Sequence, residues 1–183
     1  SWRSSLPART WSQLLAQFGP KEMHRQEVIW ELCSTERSFV QNLASILKVF
    51  GVPLRDYQGH WERGTPKLMA KIFDWLESIL QLHIKISTSF DTARASHATP
   101  VILQIASAVL RHVEALVVHQ PYLVRFEEAN ALLEQILHAP EPLPFASFVQ
   151  DQLRLRECGS MSLGSFLLKP IQRLMKYPLF FKV

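Results

Sequence analysis

Ser160-Met-Ser-Leu-Gly-Ser-Phe-Leu-Leu-Lys-Pro-Ile-Gln-Arg-Leu-Met-Lys-Tyr-Pro-Leu-Phe-Phe181 is the stretch on which the fold turns. Leu163, Leu167, Ile171, Leu174 and Met175 recur at steps of three and four, the spacing of one apolar helix face. Lys169, Gln172 or Arg173, and Lys176 recur at the same spacing on a second face. The stretch therefore predicts an apolar helix carrying one narrow stripe of long, hydrogen-bonding, mostly cationic side chains. Pro170 and Pro178 interrupt it. An interior proline removes a backbone donor and costs on the order of 3 kcal/mol, so either packing offsets it or the helix kinks.

The rest of the chain supplies a body for that helix. Its 183 residues suit one domain with a sizeable core. Hydrophobic residues make up 48% and charged residues 20%, a balance that argues against disorder. The net charge of +4 permits an acidic partner or an anionic surface without selecting one. No run of consecutive Lys or Arg occurs, which argues against a nucleic-acid partner. Cys33 and Cys158 each stand alone, outside any Cys-x-x-Cys pair, so neither a disulfide framework nor a zinc module has support. No segment resembles a signal peptide, and none approaches the roughly 20 apolar residues that span a bilayer. These features suggest a soluble, intracellular protein.

Taken in order, residues 1–20 form a short amphipathic lead (Trp11, Leu14, Leu15, Phe18) broken at Gly19-Pro20. A long helix is predicted from about Glu22 to Phe50, with Ile29, Leu32, Phe39, Leu43 and Ile46 on its apolar line. Glu36 falls on that line. A core-facing carboxylate is costly unless paired or placed at an edge, so the spacing by itself suggests an internal salt bridge, for instance to an arginine of a neighbouring helix. Thr65-Pro66 reads as the cap of a second helix with Ile72, Leu76, Ile79, His83, Ile86 and Phe90 inward. His83 lies on this apolar line with no second ligand at metal spacing and reads as a packed core histidine. A polar turn at 91–98, a second cap at Thr99-Pro100, and a helix over 102–116 follow. Pro121 kinks or restarts the chain, and residues 139–144 form a stiff proline-rich connector. A short helix at 145–157 stops near Gly159. Nothing reads as a strand, so the class is all-α.

Leu-Leu-Lys-Pro-Ile-Gln-Arg-Leu-Met-Lys-Tyr-Pro-Leu (167–179) resembles the third signature block of the Dbl-homology domain, the guanine-nucleotide exchange (RhoGEF) domain for Rho-type GTPases. Residues 25–43, with Thr-Glu-Arg-Ser-Phe-Val at 35–40, resemble its first block. Residues 71–83 resemble the helix with an Ile-Phe start and a Leu-x-x-Ile-Leu-x-x-His end. Residues 122–136 are a looser counterpart of the second block, with Arg125-Phe126 and Glu127-Glu128-Ala129 where the family often has Tyr-x-x-Tyr.

The resemblance implies an elongated Dbl-homology helical bundle over residues 21–183, C-terminally truncated, because in the family the helix of the third block continues, a further helix follows, and a pleckstrin-homology domain usually comes next. It implies a guanine-nucleotide exchange factor that stabilises a nucleotide-free Rho-family GTPase, without bond chemistry and without a cofactor or metal. The alternative is a helical adaptor that docks small GTPases without releasing nucleotide. The partner would be a Rho-family GTPase, nucleotide-free or GDP-bound, with membrane contact only through regions outside this chain. The setting would be the cytoplasm, with recruitment to membrane or cytoskeleton open. In the family the first-block glutamate accepts hydrogen bonds from the GTPase, which makes Glu36 a candidate contact. Gln172 and Lys176 would face its switch regions, with Lys169 nearby, while Arg173 either joins them or bridges to a carboxylate inside the domain. On this reading Glu36→Ala abolishes exchange and leaves melting unchanged, whereas unfolding would favour the internal salt bridge.

Overall fold

The computed structural model describes residues 1–181 apart from Tyr57, residues 97–99, Pro142 and Ser160. Helices α1 (Ala8–Ile46), α2 (Lys67–Ala95), α3 (Ala106–Leu110), α4 (Gln120–Leu137), α5 (Pro144–Leu153), α6 (Leu163–Leu167) and α7 (Lys169–Phe180) build an all-α body. No strand forms among the described residues, where extended pairing is limited to a bridge between Arg55 and Trp61.

Two helical segments make up α1. Gly19, at φ 78° and ψ 168°, breaks the helix in a conformation that favours glycine. Pro20 then opens the second segment, where its missing N–H costs nothing. The lead packs back on the body. Trp2 and Leu14 share a small core with Met23 and Val101, and the Glu27 carboxylate accepts the Trp2 and Arg3 amides at 2.9 and 2.7 Å. Beyond Pro20 the helix runs about 40 Å, at about 1.5 Å per residue, and buries Ile29, Leu32, Phe39, Leu43 and Ile46. A π turn (Leu47–Gly51) and a 3-10 turn (Val52–Leu54) end it.

Lying along α1, α2 buries Ile72, Phe73, Leu76, Ile79, His83, Ile86 and Phe90. Its first helical residue is Lys67, and the Thr65 hydroxyl finds no hydrogen-bond partner, so Thr65 is not the cap that the sequence suggests. The polar turn read at 91–98 is helix as far as Ala95. There Arg37 of α1 reaches Asp91 at 2.6 Å. Thr99 of the second cap lies outside the described residues.

The single helix predicted over 102–116 is broken. The buried Gln26 side chain donates to the Ile102 carbonyl at 2.9 Å and accepts the Ile102 N–H at 3.0 Å. Arg25 Nη2 donates to the same carbonyl at 2.6 Å. Both backbone groups of Ile102 are thus spent on α1 rather than on a helical ladder. Val101, Ile102, Ile105, Val109 and Val113 are also β-branched, which lowers helix propensity. Only α3 and a 3-10 segment (Glu114–His119) form before Pro121 restarts the chain in the first turn of α4. The helix read at 145–157 stops at Leu153.

The opening stretch is split too. Ser162 caps α6, its Oγ accepting the Ser165 N–H at 3.2 Å. Pro170 falls in the first turn of α7, where it removes no helical hydrogen bond. At the break, the Tyr122 hydroxyl donates to the Leu167 carbonyl at 2.5 Å. Leu163 and Leu167 are buried as predicted, but Met175 is 69% exposed. The inward face of α7 is instead Pro170, Arg173 and Tyr177. An arginine therefore occupies a core position.

Candidate functional site

Glu36 sits on the buried face of α1, fully closed to solvent. Its Oε2 accepts Arg173 Nε at 2.8 Å and the Tyr177 hydroxyl at 2.7 Å, both from α7. Its Oε1 lies 2.6 Å from His83 Nδ1 of α2. One carboxylate thus joins the first long helix, the second and the last. The surface meeting of Glu36 with Gln172 and Lys176 is not what the chain adopts. The internal salt bridge that spacing alone suggests is present, and of the two roles left open for Arg173 the bridge inside the domain is the one formed.

The pairing satisfies what burial would otherwise make costly. Arg173 is 3% exposed, and its Nη1 also donates to Thr35 Oγ1 at 2.9 Å. Its guanidinium lies 4.7 Å from the Tyr177 ring centroid and 5.8 Å from that of Phe180. Burial pushes the Glu36 carboxyl upward. The hydrogen bond and charge of His83, with Arg173 and Tyr177, outweigh it and hold the group below the usual carboxylate range. The Tyr177 hydroxyl is pushed up by burial and by the adjacent Glu36. His83 Nε2 lies 3.2 Å from His119 Nε2, and His119 Nδ1 lies 3.1 Å from the Leu116 carbonyl. Burial, then His83, lowers His119 to about 4, so it is neutral near pH 7.

Above this network lies a groove of about 190 Å³, lined by Thr35, Ser38, Phe39 and Asn42 of α1 and by Lys169, Gln172, Arg173 and Lys176 of α7. Gln172 and Lys176 are exposed, and Lys169 is half-buried with its ammonium 5.9 Å from the Phe166 ring centroid. Among the described residues none of these three forms an ion pair. The arc can offer two ammonium groups and an amide to a partner rich in carboxylates or carbonyls. Leu168 and Met175 flank Gln172 as exposed apolar neighbours, and Leu179 stands 64% exposed one turn further on.

Sequence reasoning brought Lys169, Gln172 and Lys176 together correctly as one face, because they share one helix. It missed Tyr177, Thr35 and His119 as partners of the network. A usable signal was present: Glu36 and His83 both fall on apolar lines, and two buried polar groups that lack local partners call for each other. Among the described residues no group of three or more His, Cys, Asp or Glu side chains could hold a metal ion. Cys33 is pushed up to about 11 by burial, far from a reactive thiolate. No described helix is long and apolar enough to cross a membrane.

Comparison with known proteins bears on this geometry. A family model described as the RhoGEF domain matches residues 28–183. The chain is 33% identical over 187 residues to Intersectin-1 of Homo sapiens, which covers 96% of this chain and 10% of that protein. It is 31% identical over 188 residues to Rho guanine nucleotide exchange factor 12 of Homo sapiens, covering 92% of this chain and 11% of that protein. The crystal structure of the DH/PH domains of p115-RhoGEF superimposes with a TM-score of 0.80 at 25% identity, over 99% of this chain and 48% of that one. The chain spans about a tenth of the length of these curated relatives.

Proposed function

Because the chain belongs to the RhoGEF domain family, we propose that it releases guanine nucleotide from a Rho-type small GTPase, so that GTP reloads the emptied site. No bond is made or broken by this chain in such a reaction. A factor that binds the nucleotide-free GTPase more tightly than the loaded one lowers nucleotide affinity by the same ratio, by linkage. The GTPase holds its nucleotide with phosphate contacts, Mg²⁺ and ordered switch segments. An exchange factor therefore has to hold those switches elsewhere.

The observation that supports this reading is the arc of half-buried Lys169 and exposed Gln172 and Lys176 beside the α1 groove. These three would touch the GTPase directly. Arg173 and Glu36 stand behind them and fix the angle at which α7 presents the arc. Glu36 would add a direct contact only by exchanging its bonds to Arg173, Tyr177 and His83 for bonds to the partner. Residues 21–183 would form the exchange domain, with residues 1–20 packed on it, in a cytoplasmic protein open to recruitment to membrane or cytoskeleton.

The test is release of a fluorescent GDP analogue from a panel of purified Rho-type GTPases. Acceleration by the chain, lost in Lys176→Ala, supports exchange. Binding without release would make the chain a docking adaptor instead.

A further inference from the structure

Lys67 and Lys71 stand one turn apart at the start of α2, both exposed, and among the described residues neither forms an ion pair. Lys67 is the first residue of that helix, and its first turn holds no acidic side chain. The aligned peptide dipoles already make a helix N-terminus partly positive, so two ammonium groups there add to a field that disfavours them. The nearest carboxylates along α2 do not offset this charge, because Asp74 and Glu77 are held by Arg55 at 2.7 and 3.0 Å.

The first turn of α4 lies across from these lysines, and a groove of about 640 Å³ opens between the two helices. Its floor is apolar. Leu68 and Trp75 of α2 are half-buried against the main core, while Pro121 and Val124 of α4 form the other side, with Val124 72% exposed. Arg125 adds a third cation at the rim. Its exposed pair with Glu128, at 2.7 Å, is of a kind that contributes little and can be exchanged for a better one. Among the described residues no carboxylate lines the groove, and none of its lining residues belongs to the groove between α1 and α7.

We infer that the α2–α4 groove is a second docking surface, which takes an acidic peptide segment of a partner protein with an apolar side chain set among its carboxylates. The apolar side chain enters between Trp75 and Val124 and removes both from water, a gain that grows with the apolar area covered. The carboxylates meet Lys67, Lys71 and Arg125, which supply the charge complementarity that selects this occupant. A flat anionic membrane would reach the lysines but leave the recessed floor beside Trp75 uncovered. A free phosphate would leave the same floor wet. The inference is independent of the exchange reading, since it uses neither α7 nor Glu36.

The experiment is a selection from a random peptide library displayed on phage, using the full chain as bait. The library is first depleted on a chain carrying Lys67→Glu and Lys71→Glu. Acidic side chains favour a helix N-terminus, so this reversed chain keeps its fold. The retained peptides are expected to combine Asp or Glu with a large apolar residue. Labelled with fluorescein, they should bind about tenfold more weakly to the reversed chain and to Val124→Asp, and more weakly again as salt is raised. They should also shift the indole NMR signal of Trp75, identified by its loss in Trp75→Phe, and should bind Lys176→Ala unchanged. Retention of no peptide overturns the inference, as does binding that leaves the Trp75 signal unmoved. Phosphatidylserine vesicles that bind the chain but not its reversed form, where no peptide does, would make the surface a membrane contact instead.

Discussion

Arg173 and Glu36, 137 positions apart in the chain, form a closed ion pair in which the guanidinium Nε donates to the carboxylate at 2.8 Å. The pair locks α7 onto α1 directly beneath the groove that Lys176 and Gln172 overhang. A buried pair of this kind returns little net stability, since each charge has been stripped of water. What it provides is geometry, because in this register of α7 on α1 each buried charge meets its partner.

Breaking the pair from one side should be costly. Glu36→Ala leaves the Arg173 guanidinium buried without a counter-charge, with the Thr35 hydroxyl and the Leu32 carbonyl as its remaining acceptors, and is expected to lower unfolding free energy by about 3–5 kcal/mol. Thermal melting measures it. This reverses the expectation from the family pattern that melting stays unchanged, and a wild-type melt would show that Arg173 escapes to solvent at little cost.

The exposed arc should behave oppositely. Lys176→Ala and Gln172→Ala remove side chains that touch little of the body, so stability should change by no more than about 0.5 kcal/mol. Nucleotide release, by contrast, should slow by about tenfold or more, the loss expected for a charge-assisted contact worth about 1.5–3 kcal/mol. A variant with intact melting and intact release would remove that residue from the contact surface.

Acid should unfold the chain through two groups of the network. His119, lowered to about 4 by burial and by His83, stays neutral where an unfolded histidine is charged. Between about pH 6.5 and 4 the unfolded state binds the extra proton, so stability falls as pH falls, by at most about 3 kcal/mol for this group. Glu36, held below its ordinary range, contributes stability that is present above the unfolded carboxyl value and lost as pH falls through its lower folded value. Urea midpoints at pH 7, 5.5 and 4.5 would follow the first process. His119→Phe should flatten the slope across that window.

The N-terminal lead should act as part of the body. Removing residues 1–18 uncovers Met23, Trp30 and Val101, which Trp2 and Leu14 now cover. Trp2→Ala alone is expected to cost about 3 kcal/mol, in the range for deleting a large buried aromatic. Melting temperatures of the shortened and full chains provide the check. Nucleotide release at 20 °C should survive, since the lead packs on residues away from the α7 arc.

By itself the sequence determined the helical class, the inward line of α1 and α2, and the grouping of Lys169, Gln172 and Lys176 on one face. Each of these follows from spacing along a single helix, which local geometry sets. Spacing also marked Glu36 and His83 as polar groups on apolar lines, but could not say what paired with them. That was decided by the tertiary structure, which turned the inward face of α7 so that Arg173 and Tyr177, rather than Met175, reach Glu36. It also took the backbone of Ile102 away from the helix its own neighbourhood suggests, by giving both of its hydrogen bonds to Gln26. The physical reason is the same in both places: a buried polar group must find its partner wherever the packed chain offers one, and that partner can be more than a hundred residues away.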